Sequence, residues 1–213
     1  MKPLRSLAAL ILAVALSSCS SSRPVDMSES RRVLGTDNDV RVDAEITGDT
    51  LTPGISIPIK CDVTNNRTTP ILVADLVPQA TFDPESQIVT VDLGSEIPGE
   101  QLLPRLVSIA PSARRTFTTA ARITIPNGAP MVPGFRRPNA LRIRVNFLGG
   151  ETTPFERLID IPERAVHDPV LAAALFTRWV ERNETVTTNA LPMRWAGGSE
   201  EAAGDATRRG RRP

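Results

Sequence analysis

Tyrosine is absent from this 213-residue chain, histidine occurs once and cysteine twice, and aromatic residues make up only 4 %. Each shortage removes a class of function. Sugar-binding and single-strand-binding faces rest on exposed aromatic platforms, so neither role is expected here. The single histidine, His167, rules out histidine clusters. Its neighbour Asp168 is better placed as a helix cap than as an acid–base partner, because adjacent residues at a helix start point apart. The chain has no Gly-x-Ser-x-Gly elbow, no phosphate-binding glycine loop and no Cys-x-x-Cys pair. It is therefore expected not to be an enzyme and to carry no cofactor, and no small-molecule ligand is expected. Asp37-Asn38-Asp39 and Asp83-Pro84-Glu85 lack the spacing of a recognised calcium loop, so they read as solvated turns and no metal is expected. Charge of one sign is also missing. With 25 basic and 24 acidic residues, no whole-protein field gathers nucleic acid or anionic lipid.

Long apolar runs are lacking too, and the exception is informative. Leu7 to Leu16 is unbroken by any polar residue, but a bilayer span needs roughly 17–25 residues. Lys2 and Arg5 precede the run and Leu16-Ser17-Ser18-Cys19 closes it. A positive start, a short apolar middle and small residues before a cut are the pattern of an export signal. Its ending resembles the bacterial lipoprotein signal, whose lipobox is Leu, two small residues and Cys. The alternative is an ordinary signal peptide with a cysteine nearby. The resemblance implies cleavage after Ser18, a diacylglyceryl thioether on Cys19, an acylated new N-terminus, and hence attachment to a membrane through that lipid. Ser20 rather than Asp after the cysteine implies the outer membrane, facing the periplasm. Removing residues 1–18 takes two basic and no acidic residues, which leaves 23 basic against 24 acidic and moves the formal charge from +1 to −1. Cys61 would then be unpaired, so no internal disulfide is expected even in an oxidising compartment.

Residues 19–38 are polar and lack apolar periodicity, which predicts a flexible tether reaching roughly 25 Å on average. Alternation then begins. Val40, Val42, Ala44 and Ile46 interleave with charged residues, and Ile55, Ile57, Ile59, Cys61 and Val63 interleave with Ser56, Pro58, Lys60, Asp62 and Thr64; both runs have the period of half-buried strands. Cys61 falls among the inward residues and reads as a small core hydrophobe. Pro58 marks an edge or the start of pairing. Further strands are expected over Ile71–Val77, Ile88–Leu93, Leu102–Ile109, Phe117–Ile125, Leu141–Phe147 and Phe155–Ile161, separated by turns rich in Pro, Gly and Asn. About eight short strands without an intervening helix predict a mainly β fold, an antiparallel sandwich of the immunoglobulin or fibronectin type over residues 39–162. Parallel pairing would call for helical crossovers. The stretch from Leu51-Thr52-Pro53-Gly54 to Val63-Thr64-Asn65-Asn66 resembles the opening of bacterial immunoglobulin-like modules. That likeness covers fewer than about twenty residues, and paired cysteines around a core Trp are missing, which implies a disulfide-free branch.

After Pro162 the pattern changes. Asp168-Pro169 predicts a capped helix from Val170 to Arg182, with Leu171, Leu175 and Trp179 on one stripe beside Ala174 and basic residues near its C-terminus. Residues 163–183 are expected to cover an edge or open end of the sandwich, and residues 184–213 to form a disordered tail. Arg136 and Arg137 lie in the long Pro126–Asn139 loop, while Arg142 and Arg144 share the outer face of the next strand. Arg122 would join them if its strand pairs with that one. Such a row could hold carboxylates or phosphates, although Asp43, Glu45 and Asp62 offer neutralising neighbours. The expected role is a non-enzymatic adaptor or accessory subunit for another envelope protein, using a sheet edge or the Pro126–Asn139 loop. The alternative is binding of an anionic envelope component, lipopolysaccharide or peptidoglycan, by the arginine face.

Overall fold

The computed structural model describes residues 31–52, 54–76, 80–94, 102–123, 136–150 and 152–196. The described residues are mainly β, with several sheets and two helical segments. The first sheet runs in the order β1 (Arg31–Asp37), β2 (Val40–Ile46), β4 (Ser56–Asn65), β10 (Arg114–Arg122), all antiparallel. The second is built around β11 (Ala140–Leu148). On one side of β11 lie β7 (Ile88–Leu93) and β5 (Ile71–Ala74), flanked by β6 (Thr81–Asp83) and β9 (Leu106–Ile109); β13 (Asn183–Thr187) and β14 (Leu191–Pro192) also pair with β11. Two small pairs complete the set: β8 (Leu102–Pro104) with β12 (Ala165–His167), and β3 (Thr50–Leu51) with β15 (Arg194–Trp195).

Period-two alternation explains the main core. Ile57, Ile59, Cys61 and Val63 of β4 pack in one cluster with Val42 and Ala44 of β2, Val89 and Val91 of β7, and Ile143, Val145 and Phe147 of β11, so the two large sheets face each other. Pro58 sits one residue beyond the last β2–β4 pair, Ile46 with Ile59, where its missing N–H costs no bond to β2. Cys61 is 1 % exposed, and burial, reinforced by the charges of Asp62 and Asp43, pushes its thiol up to about 12. The native protein should therefore resist alkylation at Cys61 at about pH 8, where an exposed thiol reacts readily, and become stoichiometrically modified in denaturant. Mass analysis of the peptide carrying Cys61 checks this, and rapid labelling in the native state would contradict it.

Several expectations change. Pairing is not wholly antiparallel: β7 and β11 run parallel, as do β3 and β15. No helical crossover is needed, because the chain returns from β7 to β11 by way of β9 and β10, and β10 belongs to the opposite sheet. The expected tether ends earlier than residue 38, since β1 begins at Arg31. Asn38 and Asp39 both have positive φ (51° and 56°) and form the two-residue loop between β1 and β2, the primed hairpin turn that Asn and Asp tolerate. The tail expected to be disordered from residue 184 holds strands as far as Trp195. Residues Thr153–Leu158 form a 3₁₀ turn where a strand was expected. Leu102–Ile109 divides into β8 and β9 at Arg105, and β5 stops at Ala74.

The helix α1 (Pro169–Arg182) starts as its sequence implies: Asp168 accepts a hydrogen bond from the Leu171 N–H at 2.8 Å and Pro169 opens the first turn. It buries Ala172, Leu175 and Trp179, an i, i+3, i+7 stripe, whereas Ala174 is exposed. Its stripe joins Leu72 and Ala74 of β5, Leu148 of β11, Leu103, Leu106, Phe155 and Leu158 in a second core on the outer face of the β11 sheet. At two glycines a side chain would not fit. Gly94 (φ +64°) lies where a Cβ would come within 2.3 Å of the Ala74 Cβ, and at Gly35 a Cβ would come within 2.6 Å of the Thr187 carbonyl. The second contact seals β1 against β13; Asn189 adds to it, accepting from the Leu34 N–H at 2.7 Å and donating its own N–H to the Leu34 carbonyl at 2.9 Å. Among the described residues no helix is long and apolar enough to cross a membrane.

Candidate functional site

Cys19, the proposed lipidation position, lies outside the described residues, as do residues 126–135 of the long loop. The structure divides the arginine set. Arg142 and Arg144 do share the outer face of β11, opposite Thr90 and Asp92 of β7. Arg142 donates from Nε to Thr90 Oγ1 at 2.9 Å. Arg144 grips Asp92 with both Nε and Nη2, the latter 2.9 Å from Oδ2. Asp92 is 3 % exposed, so this fork is a sheltered charge pair. Arg122 does not join them, because β10 pairs with β4 in the opposite sheet. Arg136 and Arg137 are exposed just before β11, and the Arg137 carbonyl accepts from Gln87 Nε2 at 3.4 Å. The expected neutralising neighbours also act elsewhere. Asp43 faces Arg32 and Arg41 at 3.9 and 3.7 Å, and Asp62 faces Arg114 at 3.6 Å, all in the first sheet. The residue that compensates the β11 face is Asp92.

Other candidates are engaged in local structure. Asp168 caps α1, and His167 is exposed in β12. Asp83 accepts from the Glu85 N–H at 3.0 Å and from Ser86 Oγ at 2.6 Å, which closes the β6–β7 turn. Those hydrogen bonds, led by the one from Ser86, hold its carboxyl below the usual range. Asp37 accepts from the Asn38 N–H at 2.9 Å inside the β1–β2 turn. Among the described residues no group of three or more His, Cys, Asp or Glu is placed to hold a metal ion.

What the sequence reading missed is a cleft of about 440 Å³ lined by residues of β9 and β10, the end strands of the two sheets. The sheets are joined at the far end of β10, where Ile123 bridges Ala80 next to β6. At the near end, β10 and β9 border open space lined by Asp75, Arg105, Val107, Arg115–Thr118, Asp160 and Arg164. Asp75 organises its floor. Its carboxylate, 4 % exposed as a residue, accepts from Arg164 Nη2 at 2.9 Å and forms an ion pair with Arg105 Nη2. Backbone bonds hold the same residues in place: the Asp75 N–H donates to the Arg105 carbonyl at 2.8 Å and the Arg105 N–H to the Arg164 carbonyl at 2.7 Å. Arg105 Nη1 also reaches the Ile161 and Pro162 carbonyls at 3.4 and 3.3 Å, while its Nε is buried without a hydrogen-bond partner. Asp160 donates its N–H to the Leu106 carbonyl at 2.8 Å and accepts weakly from the Ser108 N–H at 3.4 Å. Arg115, exposed at the start of β10, makes no ion pair among the described residues. Three guanidinium groups against two carboxylates leave the cleft with a net positive charge.

The site contains donors, a strand edge and no nucleophile–base pair. No local motif announces it, because Asp75, Arg105, Arg115 and Arg164 come from separate loops and strands; the clue was Arg105, a charge interrupting the apolar run from Leu102 to Ile109. No protein-family model matches the chain, and no curated protein or solved structure matches it either.

Proposed function

We propose that this protein is a lipid-anchored lipoprotein of the bacterial outer membrane. On this reading it presents an immunoglobulin- or fibronectin-like β-sandwich to the periplasm and acts, without catalysis, as an adaptor for another envelope protein. The reading of the anchor rests on Leu16-Ser17-Ser18-Cys19 following a short apolar run. The reading of the adaptor rests on one observation: among the described residues β10 pairs only with β4, and its other side borders the cleft. The opposite edge of that sheet, β1, is covered by β13 and Asn189. An unpaired edge offers backbone donors and acceptors to an incoming strand. The competing idea, an arginine face on β11 for lipopolysaccharide or peptidoglycan, is weakened by the pairing of Arg144 with Asp92 and of Arg142 with Thr90.

Metabolic labelling with a fatty acid should mark the wild-type chain and leave Cys19→Ala unmarked; label retained in the variant would refute the anchor. For the adaptor, a photocrosslinking side chain at Thr118 should trap one protein in intact envelopes, and the same group at Arg142 should not. Equal trapping at both positions, or none at Thr118, would refute docking at β10.

A further inference from the structure

We infer that the cleft at the start of β10 receives the free α-carboxylate of an extended polypeptide, whose last residues lie along the β10 edge. This deepens the reading of β10 as a docking edge and rests on it. The donor set points to an oxyanion: Arg105, Arg115 and Arg164 line one cavity of about 440 Å³, and guanidinium groups pair with such ligands in planar, bidentate fashion. The charge balance selects the kind of oxyanion. Asp75 and Asp160 line the same cleft and offset two of the three positive charges, so one negative charge is needed to complete the site. A carboxylate supplies one. A phosphate monoester brings about one and a half to two and would overfill the cleft beside two aspartates.

The arginines are not equivalent. Arg105 and Arg164 are fastened to Asp75 and to backbone carbonyls, which sets the floor before any ligand arrives. Arg115 has no ion pair among the described residues and projects from the edge strand itself. It is the residue whose charge is available to a newcomer. The buried Nε of Arg105 is a further donor without an acceptor, an uncommon condition for such a group. Beside these donors runs the strand Arg115-Thr116-Phe117-Thr118, four consecutive lining residues. Backbone donors and acceptors along a strand, ending at a cationic pocket, match a chain that is extended and ends in a carboxylate.

The probe is acetyl-tetra-alanine, as the free acid and as the C-terminal amide, titrated into the full lipidated chain in detergent micelles and followed by the side-chain Nε–Hε resonances of arginine. The free acid should shift the Arg115 resonance saturably, and the amide should not. Arg115→Gln, at an exposed position where folding is undisturbed, should weaken binding at least about tenfold, the loss of a charge-assisted pair. Arg115→Lys should recover part of the affinity, and Arg142→Gln should leave it unchanged. Inorganic phosphate should compete poorly. If acid and amide bind alike, or Arg115→Gln binds as well as wild type, the carboxylate assignment falls while strand docking at β10 stands. Shifts with phosphate as strong as with the free acid would reduce the cleft to a general anion site and overturn the assignment as well. Failure of the Thr118 crosslink in envelopes, by contrast, would remove the docking reading itself.

Discussion

Trp179→Ala is expected to destabilise the protein by about 3–5 kcal/mol, the range for removing a large aromatic side chain from a core. Trp179 is fully buried on the inward stripe of α1 and meets Phe155 edge-on, with ring centroids 6.2 Å apart at 75°. The core it occupies is small. Trp179 belongs to one core with Leu72, Ala74, Leu148, Leu103, Leu106, Phe155, Leu158, Ala172 and Leu175, which come from strands, the 3₁₀ turn and the helix. Few neighbours can move in to fill the space, which places the cost at the upper part of the range. A finer variant separates packing from polarity. Trp179 Nε1 is buried with no hydrogen-bond partner, so Trp179→Phe loses volume but also removes an unsatisfied N–H. That variant should cost about 1–2 kcal/mol, well below the alanine variant. Denaturant unfolding followed by far-ultraviolet circular dichroism distinguishes them, with Trp195→Ala, a half-buried residue at the rim, as a mild reference. A Trp179→Ala loss below about 1 kcal/mol would mean that α1 is not held by this core.

Asp75→Ala is the second large effect, expected at about 2–4 kcal/mol. Removing one member of a buried ion pair costs about 3–5 kcal/mol because the other charge is left without compensation. Here two guanidinium groups, Arg105 and Arg164, are left facing each other, but their side chains are 25 % and 53 % exposed and water screens part of the loss. Asp75→Asn should fall between alanine and wild type, since an amide oxygen still accepts a hydrogen bond. By comparison, Asp43→Ala breaks contacts with Arg32 and Arg41 whose side chains are 65 % and 52 % exposed, and should cost less than about 1 kcal/mol. Urea midpoints for the three variants test the ordering. If Asp75→Ala proved as mild as Asp43→Ala, Asp75 would not organise the cleft floor.

These two residues also mark how far local pattern carries. The strands β2, β4, β10 and β11 are legible because one face of each meets the shared core, so alternation in the sequence mirrors alternation in burial. The cap of α1 is legible because Asp168 and Pro169 act within one turn. Where both faces of a strand are covered, as in Ile88–Leu93, the strand is legible from its β-branched run but its neighbours are not. In β7 every residue from Val89 to Leu93 is buried, and Asp92 sits there because Arg144 of the parallel neighbour reaches across to it. Legibility fails where a strand is polar: Asn183–Thr187 buries only Val186, although Leu191, Met193 and Trp195 beyond it do alternate and were a readable signal. The primed turn at Asn38-Asp39 was a second such signal. Of the cleft only Arg105, a charge inside the run from Leu102 to Ile109, left a sign in the sequence. Its other charges are brought together by the return of the chain from one sheet to the other, and their spacing in the sequence does not show that.

The early start of β1 has a mechanical consequence. Only eleven residues separate Cys19 from Arg31, and at full extension such a segment spans no more than about 40 Å. If Cys19 is acylated, the leash is short and its upper end is clamped: all seven residues of β1 are zipped to β2, and Arg31 Nη1 also holds the Pro192 carbonyl at 2.6 Å. Any tug from the bilayer would then enter a hydrogen-bonded ladder at its first rung and pass directly into the sheet whose far margin is β10.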